Sequence, residues 1–99
     1  MGKSFKGLAK ILAMDCEMVG VGRSGKVSRG RDSLARVSIV NHLGNCIYDK
    51  YVKPRRNVTD YRTEYSGIRP EDIENGEKFK TVQKEVSDML KGKVLIGHR

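Results

Sequence analysis

The sequence predicts a small mixed α/β sheet, and three observations carry that expectation. Residues 11–19 (ILAMDCEMV) form an almost continuous apolar run broken only by Asp15 and Glu17. Residues 34–41 (LARVSIVN) and 46–53 (CIYDKYVK) are two further strand-like runs, and His42-Leu43-Gly44-Asn45 between them has turn composition. Beyond residue 78, apolar side chains recur at helical spacing and a last short apolar run follows. These pieces assemble as a three-strand meander, a helix and a parallel fourth strand, because a strand reached through a helical crossover returns parallel to the first.

Taken in order, the first run reads as a central strand buried on both faces. The Gly/Ser/Arg-rich stretch Gly20–Ser33 has loop composition, and the next two runs pair back as the meander. Pro54 stops the third strand, and an extended segment runs to about Gly67. Pro70 suits the first turn of a short helix that Gly76 ends. A longer helix places Phe79, Val82, Val86, Met89 and Leu90 on one face, with Gly92 as its C-terminal cap. Val94-Leu95-Ile96 is the fourth strand, after which the sequence stops at Gly97-His98-Arg99 with no helix to cover the second face. Residues 1–10 form a basic N-terminal segment ahead of one domain over 11–99.

Charge narrows the function classes. Lys and Arg number 20 against 12 Asp and Glu, a formal net charge of +8, so a polyanionic partner is favoured over a cationic or apolar one. The excess is uneven: residues 18–59 carry +7 and residues 78–99 carry +4, while Asp15 and Glu17 stand between basic stretches. No apolar run approaches the roughly 18 residues of a membrane span, no secretory h-region follows the N-terminus, and Lys6 stands where myristoylation prefers Ser or Thr. A cytosolic or nuclear location is expected, which sets aside the glycosylation pattern at Asn57-Val58-Thr59. Cys16 and Cys46 lie in strand-like runs without metal-ligand spacing and are expected to be reduced core residues.

The chemistry centres on Asp15 and Glu17. Two residues apart on a strand, they point to one face with Cβ atoms roughly 6 to 7 Å apart, and Cys16 points the other way. Ionised together in apolar surroundings, they repel each other and resist desolvation. A divalent cation compensates both effects, and hard carboxylate oxygens suit Mg2+ or Mn2+. The alternative is an Asp-x-Glu pair on a wet strand face. Gly20-Val21-Gly22-Arg23-Ser24-Gly25 fits G-x-G-x-x-G, but Val27 replaces the Ser or Thr of a P-loop and the next element reads as a strand, so nucleotide binding is not expected. Arg62 lies in the extended segment, where it either folds over the acidic face to meet a phosphate or sugar, or pairs with Asp60 or Glu64. His98 is given no role as a base.

These residues also carry a resemblance. Asp15-Cys16-Glu17-Met18-Val19-Gly20, Leu34-Ala35-Arg36-Val37-Ser38-Ile39-Val40-Asn41, Tyr48-Asp49-Lys50-Tyr51, Val58-Thr59-Asp60-Tyr61-Arg62-Thr63, Ser66-Gly67-Ile68 and Leu90-Lys91-Gly92-Lys93-Val94 together resemble the DEDDh-type 3′→5′ exonucleases. Within these, the match is to the eukaryotic RNA exonuclease 4 and interferon-stimulated exonuclease group, over nearly the whole chain from about Leu12. The resemblance implies an RNase H-like fold, two divalent ions (Mg2+ or Mn2+), a single-stranded RNA or DNA 3′ end as substrate, a monomer, and a nuclear or nucleolar location. It implies Asp15 and Glu17 as catalytic metal ligands, Met18 and Val19 as contacts to the terminal nucleoside, and Arg62 as a contact to a sugar or phosphate. Such enzymes use two further aspartates and a base histidine, which in the family's pattern lie beyond Arg99. A sheet lacking part of its catalytic set and inactive alone is therefore the first expectation. A non-catalytic nucleic-acid-binding fragment is the second, and a partly unfolded truncated product the third.

Overall fold

The structure, a computed structural model, describes residues 10–22 and 31–98. Among them, six strands and three helices follow one another: β1 (Ile11–Val21), β2 (Arg31–Asn41), β3 (Cys46–Lys53), β4 (Val58–Asp60), α1 (Thr63–Ser66), α2 (Pro70–Glu74), β5 (Glu77–Lys78), α3 (Phe79–Leu90) and β6 (Val94–His98). β1, β2 and β3 form the expected antiparallel meander, and β6 runs parallel to β1 from Ile11↔Val94 to Asp15↔His98. The mixed α/β sheet read from the sequence is thus the observed one. The β2–β3 turn is tied by Asn41, whose Oδ1 accepts from the backbone N–H groups of Leu43 and Asn45, while Gly44 takes the positive φ of 82° that the tight reversal needs.

Two short strands go beyond the expected four. β4 pairs antiparallel with the end of β1, and β5 pairs parallel with the end of β3. The segment expected to run extended to Gly67 therefore holds a strand and the single-turn helix α1. Runs of two or three residues have no periodicity of their own, so tertiary contact selects them. At β5 the selecting feature is Gly76: a Cβ there would lie 2.9 Å from the backbone N of Lys53 and 3.0 Å from the carbonyl carbon of Val52. Only a residue without a side chain lets the chain pass this close to β3.

The core has two parts, one on each face of the sheet. Leu12, Val37, Ile39 and Val52 pack against Val82 of α3, with Val86, Met89 and Leu90 at the margin. On the other face Val19, Val21 and Ala35 pack against Ile68 and Ile73, which follow α1 and lie within α2. The predicted helix and its apolar stripe hold, although Phe79 remains 38% exposed. The expectation of a β1 buried on both faces does not hold along its whole length. Cys16 and Met18 are exposed, because α3 stands off this part of the sheet and leaves a groove of about 500 Å³ lined by Met14, Cys16, Leu34 and Phe79, among others. Cys16 and Cys46 are both free thiols, as expected, yet both are exposed rather than core. Among the described residues, no helix is long and apolar enough to cross a membrane.

Candidate active site

Strand alternation sets Asp15 and Glu17 on one face of β1, the face that also carries Val19 and Val21. Both carboxylates are half-buried. Asp15 Oδ1 is buried and has no hydrogen-bond partner among the described residues. Partial desolvation, followed by the charges of Asp15 and Glu17, pushes the neighbouring Cys16 thiol up, so the field of the carboxylate pair is felt through the strand.

The cross-strand neighbours complete the surface. Asp15 is registered with Ser38 and Glu17 with Arg36 on β2, and these in turn with Asp49 and Tyr51 on β3. Arg36 does not close on Glu17. Its Nε and Nη2 donate to the two oxygens of Asp49 at 2.8 and 2.6 Å, its guanidinium lies 5.2 Å from the Tyr51 ring centroid, and Ser38 Oγ donates to Asp49 at 3.1 Å. Donating these hydrogen bonds to Asp49 raises the Arg36 pKa, and accepting them holds the Asp49 carboxyl below its ordinary value. A depressed carboxyl pKa contributes stability above the unfolded value, near 4, and loses it as pH falls through the folded value. The Asp49→Asn variant should therefore lack part of the acid limb that wild-type urea midpoints show as pH falls below the ordinary carboxyl range. With the Asp49 side chain 37% exposed, the effect should be only about 0.2–1 kcal/mol. An acid limb unchanged by the substitution would show that the pair contributes nothing.

The remaining expected site residues are placed differently. Met18 is 36% exposed, but alternation directs it to the face opposite Asp15 and Glu17. Val19, the other residue expected at a nucleoside, is fully buried in the second core cluster, where it packs with Ile68 and Ile73. Arg62 adopts a left-handed conformation (φ 50°) at the start of α1 and is not in an extended segment. Its Nη2 pairs with Asp32 at 2.6 Å and its Nε with Asp60 at 3.8 Å, so the Asp60 alternative holds and Asp32 joins it. Nη2 also lies 3.2 Å from where a Cβ on Gly20 would sit, so glycine makes room for the guanidinium across the end of β1. Residues 23–30, which include part of the G-x-G-x-x-G stretch, lie outside the described residues, and the next described element is strand β2. The Arg36–Ser38–Asp49 network was not singled out from the sequence, although period-two spacing already put Arg36 and Ser38 on one face of their strand.

The residues present fit a hard cation as part of a ligand set. A buried carboxylate oxygen without a partner, beside a second carboxylate on the same face, is the donor chemistry such an ion needs. Among the described residues, no group of three or more His, Cys, Asp or Glu stands together to complete the set.

A family model described as Exonuclease (RNase_T) matches residues 12–99. The chain belongs to this exonuclease family. It is similar to RNA exonuclease 4 of Xenopus laevis, at 62% identity over 96 residues that cover 97% of this chain and 22% of that protein. Human RNA exonuclease 4 is 59% identical with the same coverage, and that of Saccharomyces cerevisiae is 50% identical, covering 94% of this chain and 31% of the relative. The chain thus spans less than a third of the length of these curated relatives. Among solved structures, the Saccharomyces cerevisiae Pan2 pseudoubiquitin hydrolase-RNA exonuclease module matches with a TM-score of 0.73 at 28% identity, over 91% of this chain and 17% of that one. The same module in complex with A7 RNA matches with a TM-score of 0.71 at 27% identity, over 90% and 17%. The nuclease domain of 3′hExo, a DEDDh family member bound to rAMP, shares the fold, with a TM-score of 0.54 at 16% identity over 87% and 50%. The exonuclease-family chain thus shares its mixed α/β sheet with solved exonuclease domains.

Proposed function

We propose that the chain is part of a nuclease that removes nucleotides from the 3′ end of RNA by two-metal phosphodiester hydrolysis, and that Asp15 and Glu17 are two of its metal ligands. The observation that carries this reading is the buried, unpartnered Asp15 Oδ1 on the same face as Glu17. Family membership, the printed name of the curated relatives and the RNA bound in the Pan2 structures support RNA as the substrate. When bound, Mg2+ or Mn2+ would acidify water and screen the charge that develops on phosphate oxygens. Asp15 and Glu17 hold fixed negative charge at one spot on a rigid central strand, which orients an incoming cation without reorganisation. Asp49 keeps the Arg36 guanidinium on β3, so the cation opposite Glu17 does not quench it. Arg62, held by Asp32 and Asp60, reaches a phosphate only by exchanging one of those carboxylates for it.

With two carboxylates and no third donor beside them among the described residues, the chain alone should release little nucleotide. Digestion of a 3′-labelled single-stranded RNA with Mg2+ or Mn2+ tests this. Robust release that vanishes in Asp15→Ala would overturn the inactivity of the chain, and release that persists in that variant would overturn the site.

A further inference from the structure

Several basic side chains gather where the end of β3 meets β5 and the start of α3. β5 lies against β3 in the register Lys53↔Lys78, which sets two lysines directly opposite each other. Like charges in this position destabilise a sheet. Among the described residues neither lysine has an ion-pair partner, and nor do Arg55, Arg56 or Lys80 nearby; all five are exposed. Three adjoining hollows share Lys53, Pro54 and Arg55, and the largest, about 550 Å³, is lined by Lys53, Arg55, Lys78 and Lys80 against one acid, Glu74. The acid in a second hollow, Asp32, is already engaged by Arg62. Between Lys78 and Lys80, Phe79 keeps 38% of its surface exposed and lines the same hollow.

We infer that this turn is a binding site for single-stranded RNA, in which Lys53, Arg55, Arg56, Lys78 and Lys80 hold backbone phosphates and Phe79 stacks on a base. The inference rests on the reading of the chain as part of an RNA nuclease and gives the body of the strand a place apart from the acidic pair. Unpaired basic residues around an exposed aromatic ring are the chemistry that holds single strands without sequence preference. The repulsion between Lys53 and Lys78 is relieved when a phosphate lies between them. Gly76 creates the site by letting β5 approach β3.

The test uses the 99-residue chain and a labelled ten-nucleotide RNA, titrated over a salt series. Removing both charges with Lys53→Gln/Lys78→Gln should weaken binding about tenfold at low salt and reduce the salt slope by about 1.4, at roughly 0.7 per phosphate contact on a single strand. A control with equal charge loss elsewhere, Lys84→Gln/Lys93→Gln, should lose much less. Lys78→Glu adds an independent reading: an opposite charge facing Lys53 should raise the melting temperature while RNA affinity falls. The inference is overturned if the two double variants weaken binding equally, if Lys78→Glu lowers the melting temperature and leaves affinity unchanged, or if heparin competes equally against wild type and Phe79→Ala. Mn2+ binding should be unchanged in the lysine variants and lost in Asp15→Asn, which separates failure of this site from failure of the metal reading.

Discussion

Asp15→Asn should leave the metal-free chain at least as stable as wild type and abolish any rise in melting temperature produced by Mn2+. The first half follows from burial. Asp15 Oδ1 is buried with no hydrogen bond, and a buried unpartnered polar group costs about 1–3 kcal/mol, more when charged. Asparagine keeps the shape of the side chain and removes both the charge and its repulsion from Glu17. The second half follows from linkage: an ion that binds only the folded state stabilises it by about 2.7 kcal/mol at 100 times its dissociation constant. In a chain of this size, each kcal/mol moves the melting temperature by about 4–8 °C, so the wild-type shift is readily measured. In a longer nuclease containing this segment, loss of the ligand should slow hydrolysis on the order of a thousandfold, since such ions supply several kcal/mol to the transition state. A Mn2+ shift that survives the substitution would place the cation elsewhere. Substantial loss of metal-free stability would make Asp15 a structural residue.

What was legible in advance follows the length scale of each signal. The meander could be read because residues 34–41 and 46–53 are each long enough to show strand composition, and Gly44 and Asn45 mark the reversal between them. The crossover to β6 could be read because a twelve-residue amphipathic helix precedes it. β4, β5 and α1 could not, because each is four residues or fewer and exists through a contact such as that of Gly76 with Lys53. That gap carried into the site. With the segment after Pro54 taken as extended, nothing covered the end of β1; once α1 turns the chain there, Ile68 and Ile73 pack on Val19. The same turn gives Arg62 its left-handed backbone and points its guanidinium at Asp32, a partner 30 residues away that no local pattern could name. Asp15 and Glu17 were legible because their relation depends only on the two-residue period of a strand. The Arg36–Asp49 pair depends on the register between two strands, which the turn sets and composition does not.

Ile68→Ala should be the most damaging single substitution on the acidic face. Ile68 is fully buried and joins Val19 and Val21 of β1, Ala35 of β2 and Ile73 of α2 in one cluster. Its backbone is also committed: the carbonyl accepts from Thr63 Oγ1 at 2.7 Å and the N–H donates to Ser66 Oγ at 3.0 Å, while Ser66 Oγ donates to the Tyr61 carbonyl at 2.9 Å. These bonds hold the chain in place around the cavity, so it collapses little, and an Ile→Ala change that leaves a cavity costs about 2–5 kcal/mol. Small domains are stable by only about 5–15 kcal/mol, so this is a large share, corresponding to a fall of roughly 10 °C or more in melting temperature. The urea midpoint should fall with an unchanged slope. Ile96→Ala is the comparison, since Ile96 is 52% exposed on β6 and should cost under about 1 kcal/mol. If the two substitutions cost the same, the second cluster is not a core, and Arg62, held at the head of α1 by the same packing, has no rigid support from which to meet a phosphate.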